Sequence, residues 1–329
     1  MAKKILVRVD GGSVENIGTG HIFRCLLLGS ELRGRGTLIF ASLDSSEFGY
    51  GHAQIKKQGH DLCLLPPDQY HDALRELVSR EDPDFVICDL YEYEEEELKI
   101  LKASGAPLMT FDHVGSHRQC SDYPINAVVP RPRARYEGLD YIVISPPDIR
   151  PFRQTPEKLF VCFGGFDYGD LTFKVASALV ELDVSQHVSV VVTSLYPHVS
   201  RLRELAANTP VRVAVHEQPD NFARLLSECD IACVSGGLTM FQTLSIGVSV
   251  VAISQYEHQR QTIEDFKPFG AYVDAGAGDR FDGHRFKEVL AGLVSNAAQR
   301  RELGDNARRM VDGRGLERVV RLVADELDT

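Results

Sequence analysis

The chain reads as an α/β protein of two domains, each a parallel sheet flanked by helices, and three observations predict this. Short apolar runs closed by turn residues alternate with stretches of helical spacing along most of the chain. The order strand, glycine turn, helix opens the first half at Ile5 and opens a second series at Leu159. At 329 residues, the chain exceeds what one hydrophobic core usually serves. The spacing places the domains at 1–150 and 151–329, with the terminal helices in the second.

The opening run Ile5-Leu6-Val7-Arg8-Val9 is a buried strand ending at Asp10-Gly11-Gly12. Then comes Asn16-Ile17-Gly18-Thr19-Gly20-His21-Ile22-Phe23-Arg24. Ile22, Cys25, Leu26 and Leu32 recur at helical spacing, so His21 belongs in the first turn of a helix entered from a glycine loop. Free N–H groups and the positive end of the helix dipole favour an anion there, and Gly18 and Gly20 let the backbone come close. A histidine in that position can exchange a proton near neutral pH, and Arg24 offers a permanent positive charge. A tight turn with a surface imidazole is the plain alternative.

Further strands are expected at Thr37–Ser42, His60–Leu65, Asp84–Asp89 and Pro107–Asp112. Asp10, Asp89 and Asp112 all fall at strand carboxyl ends, the edge where an open parallel sheet binds ligands. His113 follows the last of them. The acidic run Glu92 to Glu97 opens a helix and reads as a solvated first turn. From Ser116 to Arg153 the alternation breaks and prolines accumulate, which marks an inter-domain segment. The second series follows, with Gly164-Gly165-Phe166-Asp167 after its first strand and Ser235-Gly236-Gly237-Leu238-Thr239 after a later one. Ser235, the glycine amides and Thr239 can donate to a diphosphate at a helix N-terminus, with Gln242 one turn on, within reach of ribose hydroxyls. Phe286 to Leu327 is helical and amphipathic, with breaks expected near Gly304 and at Gly313 to Gly315.

A net charge of −11 argues against a nucleic-acid binder but leaves room for a nucleotide held by local amides. The 43% hydrophobic and 25% charged content is ordinary for a globular protein. No window is long and apolar enough to insert stably in a membrane, and Met-Ala-Lys-Lys leads straight into a strand without room for a signal peptide, so the expected compartment is the cytoplasm. The seven cysteines form no Cys-x-x-Cys pair and read as reduced core residues. Asp112, His113, His117 and Cys120 could be read as metal ligands, but Gly115 and Ser116 disfavour the helix that would align the two rings. No metal or other cofactor is expected.

Ile17, Gly18, Gly20, His21 and Arg24 with Asp10, then Thr110-Phe111-Asp112, Asn126, Phe163 to Asp167, Ser235-Gly236-Gly237 and Gln259 carry a chain-long resemblance. The sequence resembles the UDP-sugar hydrolases of pseudaminic acid biosynthesis, related spore-coat polysaccharide proteins and, more distantly, MurG-like glycosyltransferases. The resemblance implies a GT-B-like fold, two Rossmann-like domains facing across a cleft, with a nucleoside diphosphate held mainly by the second. It implies His21 as general base in hydrolysis at an anomeric carbon, with Asp10 and Arg24 beside it. Gly18, Gly20, Gly164, Gly165, Ser235, Gly236, Gly237, Thr239, Gln242 and Gln259 would meet the nucleotide. Asp89, Tyr91, Asp112, His113, Asn126, Asp167 and His258 would line the sugar side.

Three positions depart from the family pattern: Gln242 stands where Glu is usual, His258 where Asn is, and Asp10-Gly11-Gly12 where Asp-Ser-Ser is. An amide accepts a ribose hydroxyl less strongly than a carboxylate does, so the nucleotide preference, UDP in the family, stays open here. Two rival readings also remain: a glycosyltransferase passing the sugar to an acceptor, and a non-catalytic nucleotide-sugar binder.

Overall fold

The computed structural model describes residues 3–12, 19–112, 119–167 and 169–329. By internal contacts the chain divides into Met1–Ile144 with Arg314–Thr329, here unit 1, and Ser145–Gly313, unit 2.

Unit 1 runs β1 (Lys4–Val9), α1 (Gly20–Leu32), β2 (Thr37–Leu43), α2 (Gly49–Lys57), β3 (Asp61–Leu65), α3 (Tyr70–Glu81), β4 (Phe85–Asp89), α4 (Glu95–Lys102), β5 (Leu108–Phe111) and β6 (Tyr123–Ile125). Among the described residues these strands form one six-stranded sheet in the order β3-β2-β1-β4-β5-β6, parallel throughout. Both faces are covered, so the strands carry near-continuous apolar runs. Ile5, Val7, Phe85 and Phe111 pack toward α1 on one face; Leu6, Val86 and Leu108 pack with Leu74, Leu77 and Leu98 of α3 and α4 on the other.

Unit 2 runs β7 (Lys158–Cys162), α5 (Leu171–Glu181), β8 (His187–Val192), α6 (Val199–Ala207), β9 (Val213–Glu217), α7 (Phe222–Ser227), β10 (Ile231–Val234), α8 (Leu238–Ile246), β11 (Ser249–Ser254), α9 (Glu257–Phe266), β12 (Tyr272–Ala277), α10 (Gly283–Ser295) and α11 (Ala297–Met310). Its sheet, β12-β11-β10-β7-β8-β9, repeats the order of unit 1 when read from the other edge. In each unit the order reverses beside the first strand, between β1 and β4 and between β7 and β10. Neighbouring loops diverge at such a switch point and leave a crevice at the strand carboxyl ends.

The structure corrects the expected layout in four places. The last helix, α12 (Gly315–Leu327), lies in unit 1 rather than with the second domain, because Leu316, Val319, Val323 and Leu327 form one apolar stripe that packs into the unit 1 core. The chain enters unit 2 at Ser145, a few residues before the expected boundary. β6 lies inside the segment read as inter-domain, where a proline hides the strand signal. The helix break falls at Asn296, whose side chain caps α11, and not at Gly304. Gly304 sits within α11 because the Gly247 carbonyl oxygen would lie 2.4 Å from a Cβ there.

Candidate active site

At the switch point of unit 1, α1 starts with Gly20 and carries His21 and Arg24 one turn apart, above the end of β4. Asp89 ends β4, is 0% exposed, and is where their bonds converge. Its Oδ1 lies 2.7 Å from His21 Nδ1, and Arg24 binds it in a fork, Nε to Oδ2 and Nη2 to Oδ1, both at 2.7 Å. The Cys25 thiol donates to Oδ2 at 3.6 Å. Burial alone would raise the Asp89 carboxyl; the Arg24 charge, then His21, outweigh it and hold Asp89 well below the usual carboxylate range.

That ionised state settles the histidine tautomer. Arg24 Nη2 also lies 3.4 Å from Nδ1, but a guanidinium only donates and a carboxylate only accepts. Nδ1 therefore carries a proton and gives it to Asp89 over the shorter distance, so that in the neutral ring the lone pair sits on Nε2. Nε2 has no hydrogen-bond partner among the described residues.

Arg24 is not the free cation expected from the sequence. It is 5% exposed, lies over the Phe111 ring, and also binds Asp112 Oδ2 at 2.5 Å through Nη1. Asp112 reaches it because its backbone is left-handed (φ 51°), a conformation that costs an L-residue energy and turns the carboxylate toward α1. Its other oxygen, Oδ1, is buried without a partner among the described residues.

Asp10 is held by a separate network. Oδ2 accepts from Arg8 at 2.7 Å, and Oδ1 from Ser42 Oγ at 2.8 Å and the Leu43 N–H at 2.9 Å. Since Ser42 spends its proton on Asp10, His52 Nε2, 3.0 Å away, donates to Ser42. Burial pushes the Asp10 carboxyl up, but Arg8 and these donors pull it further down. Arg8 also donates from Nε to Glu97 at 2.8 Å, and Tyr70 bonds the same carboxylate oxygen. Glu97 is thus buried and paired, not solvated as its acidic run suggested, and burial raises its pKa despite Arg8.

Unit 2 offers two helix N-termini at its switch point, and they differ. Before α5, buried Asp167 accepts the N–H groups of Leu171 (2.9 Å) and Thr172 (2.5 Å), so a carboxylate already fills that end. Asp167, expected on the sugar side, is a helix cap. Before α8, Gly237 occupies the cap position and no side chain caps the first turn. Gly236 is needed because the Gln259 carbonyl oxygen would meet a Cβ at 2.7 Å. Gln259 is half of a clamp: its Oε1 accepts the Gln255 N–H at 2.9 Å, and Gln255 Nε2 donates to the Phe163 carbonyl. Ser235 is buried, while Thr239 and Gln242 are half-exposed along α8.

The remaining expected residues scatter. Gly20 opens α1, Gly164 has φ 85°, and the Gly165 carbonyl accepts from the Thr193 hydroxyl. Tyr91 is 48% exposed just past β4. Asn126 follows the edge strand β6, its backbone bonded to Tyr136 and Gly138, and no hydrogen bond joins it to His21. His258 is exposed, stacked on Tyr256 with centroids 5.6 Å apart. Gly18, His113 and His117 lie outside the described residues. Among the described residues no group of His, Cys, Asp and Glu could hold a metal ion, and the seven cysteines are free thiols.

Sequence reading missed Arg8, Glu97, Ser42 and Tyr93. Tyr93 donates to the Phe111 carbonyl at 2.6 Å and accepts the N–H groups of Leu90 and Phe111, tying the ends of β4 and β5 together. Arg8 alone had left a signal, since a charge inside an apolar strand requires a buried partner.

Two doubly wound units of one strand order, with an oriented histidine in one and an open glycine turn in the other, define a two-domain α/β protein of the GT-B type. The fold matches a crystal structure of MurG from Acinetobacter baumannii with a TM-score of 0.72, at 14% identity, over 98% of this chain and 99% of that one. In sequence the chain resembles the spore coat polysaccharide biosynthesis protein SpsG of Bacillus subtilis, with 27% identity over 96% of each chain. It also resembles a UDP-2,4-diacetamido-2,4,6-trideoxy-beta-L-altropyranose hydrolase of Campylobacter jejuni, with 24% identity over 79% of this chain and 94% of the other. No family model matches the chain.

Proposed function

We propose that the protein is a nucleotide-sugar hydrolase, with His21 as general base and the turn before α8 as the diphosphate-binding element. The observation that carries this is the Asp89 hydrogen bond at Nδ1, which leaves Nε2 ready to accept a proton. Water would give a proton to Nε2 as its oxygen bonds the anomeric carbon. The bond from that carbon to the diphosphate oxygen breaks, and its electron pair leaves with the nucleoside diphosphate. Asp89 then faces an imidazolium and stabilises it, while Arg24 positions Asp89. Open amides at the α8 N-terminus favour the charge that builds on the leaving group. Asp10 and Asp112 support the loops around this site, Asp10 through Arg8 and Ser42, Asp112 through Arg24.

The relative named as a UDP-sugar hydrolase supports UDP as the nucleotide and an amino, deoxy sugar as the substrate class; the relative named for spore coat polysaccharide biosynthesis supports a place in polysaccharide assembly. No described helix is long and apolar enough to cross a membrane, in keeping with a cytoplasmic nucleotide-sugar pool as the source of substrate. The test is incubation with a panel of nucleotide sugars and no acceptor. Free sugar plus nucleoside diphosphate is expected, and His21→Ala should abolish it while nucleotide affinity stays within about threefold, since the ring acts on water and not on the nucleotide. Turnover only when an acceptor is added would make the protein a transferase. Turnover that survives His21→Ala would remove the histidine from the mechanism.

A further inference from the structure

Unit 2 has a second concavity, at the amino-terminal ends of its strands and so at the sheet edge away from the turn before α8. It encloses about 280 Å³ between the segment Ile149–Arg153, the starts of β10 and β11, the end of α8 and one face of α11. Five arginines line it against two aspartates. Two of the five are matched within the lining: Arg153 with Asp230 at 3.1 Å and Arg308 with Asp305 at 2.5 Å. Arg150 leans outward to Asp148 at 2.5 Å.

The other two, Arg300 and Arg301, have no carboxylate partner among the described residues. Arg300 is 1% exposed, and its guanidinium is met only by carbonyl oxygens, those of Leu293 (2.5 Å), Val294 (3.0 Å), Arg153 (3.3 Å) and Gln154 (2.5 Å). Carbonyls satisfy its donors but carry only partial charge, and Asp230, the carboxylate whose charge reaches it, is already paired with Arg153, so the buried positive charge is only partly offset. Arg301 lies beside it, 4.4 Å over the Phe152 ring, with Arg300 at 5.7 Å from the same ring. Phe152 is 39% exposed and holds both guanidinium groups at the cavity wall.

We propose that this cavity binds a phosphate monoester of a small metabolite, with the phosphate on Arg301 beside the buried charge of Arg300. Two adjacent unmatched cations in a concave wall raise the local concentration of a dianion, and the guanidinium fork matches phosphate oxygens. The volume decides the class. It lies just below the usual range of ligand cavities, roughly 300–1,000 Å³, and so favours a sugar phosphate or nucleoside monophosphate over a whole nucleotide sugar.

The test is calorimetric titration of the full chain with inorganic phosphate and with a hexose 1-phosphate at fixed ionic strength, for wild type, Arg301→Ala and Thr239→Asp. Thr239→Asp sets a carboxylate in the first turn of α8 and blocks anions there. Saturable binding of the hexose phosphate is expected, weakened about 10–100-fold by Arg301→Ala and retained in Thr239→Asp. Hydrogen exchange on the wild type should show protection of residues 149–153 and 300–308 by the same ligand. Absence of saturable binding, loss of binding in Thr239→Asp alone, or protection confined to the start of α8 would each overturn the proposal.

Discussion

His21 and Asp89 stand 68 residues apart and meet because α1 starts where β4 ends, at the same edge of one sheet. Their pairing makes a specific demand on substitution. Asp89→Asn replaces the acceptor-only carboxylate that holds the Nδ1 proton with a neutral amide that can also donate, and kcat should fall about 10²–10⁴-fold with KM little changed. The same change leaves buried Arg24 with Asp112 as its remaining carboxylate, which should cost about 1–3 kcal/mol in urea unfolding. His21→Gln separates the two effects: a comparable loss of kcat with stability within about 1 kcal/mol of wild type. Asp89 and Asp10 are both held below their unfolded values, so in acid the folded chain binds fewer protons at these sites than the unfolded one. Their stabilisation is complete above about pH 4, where unfolded aspartates titrate, and is lost as pH falls below it toward the folded values. Denaturant midpoints between pH 5 and pH 2 should fall steeply in the wild type and less steeply in Asp10→Asn.

Among the elements, the contrast between α5 and α8 matters most. Both follow strands at the switch point of unit 2, yet Asp167 fills the end of α5 with its own charge while Gly237 leaves α8 uncapped. Asp167→Ala should therefore lower thermal stability by about 1–2 kcal/mol, as loss of a cap does, and leave nucleoside diphosphate affinity within about twofold. Thr239→Asp should do the reverse, weakening the diphosphate about tenfold at little cost in stability. α11 depends on a different contact. In most helices Gly→Ala stabilises by about 1 kcal/mol, but Gly304→Ala would drive a methyl into the Gly247 carbonyl and should destabilise by about 1–3 kcal/mol. A rise in melting temperature would show that α8 and α11 pack less closely than described.

At the scale of the whole molecule the chain passes from unit 1 to unit 2 at Ser145 and returns at Arg314, so α12 closes the first unit with the last residues of the sequence. Leu316, Val319, Val323 and Leu327 together bury on the order of 6–12 kcal/mol of gross hydrophobic free energy at about 1.5–3 kcal/mol each. A chain ending at Gly313 should lose protection from hydrogen exchange in β1, β4 and β5 while keeping it in β7, β10 and β11. Equal loss in both sets would mean that the two units unfold as one.

Periodicity alone determined the α/β class, the strands at the centre of each sheet and the place of His21 in the first turn of α1, because buried parallel strands and amphipathic helices leave local patterns of residue type. A glycine turn before a helix was equally legible at Gly236 and Gly237. Only the tertiary structure decided which charges are spent. Arg24 looked free and is bound to two aspartates, Glu97 looked solvated and is bound to Arg8, and Asp167 looked like a cleft residue and caps α5. It also decided that α12 belongs to unit 1 and that Gly304 continues a helix. The reason is common to all of these: each partner lies on another strand, helix or loop. Local spacing states which groups need a partner, and the packing of distant elements states which partner they find.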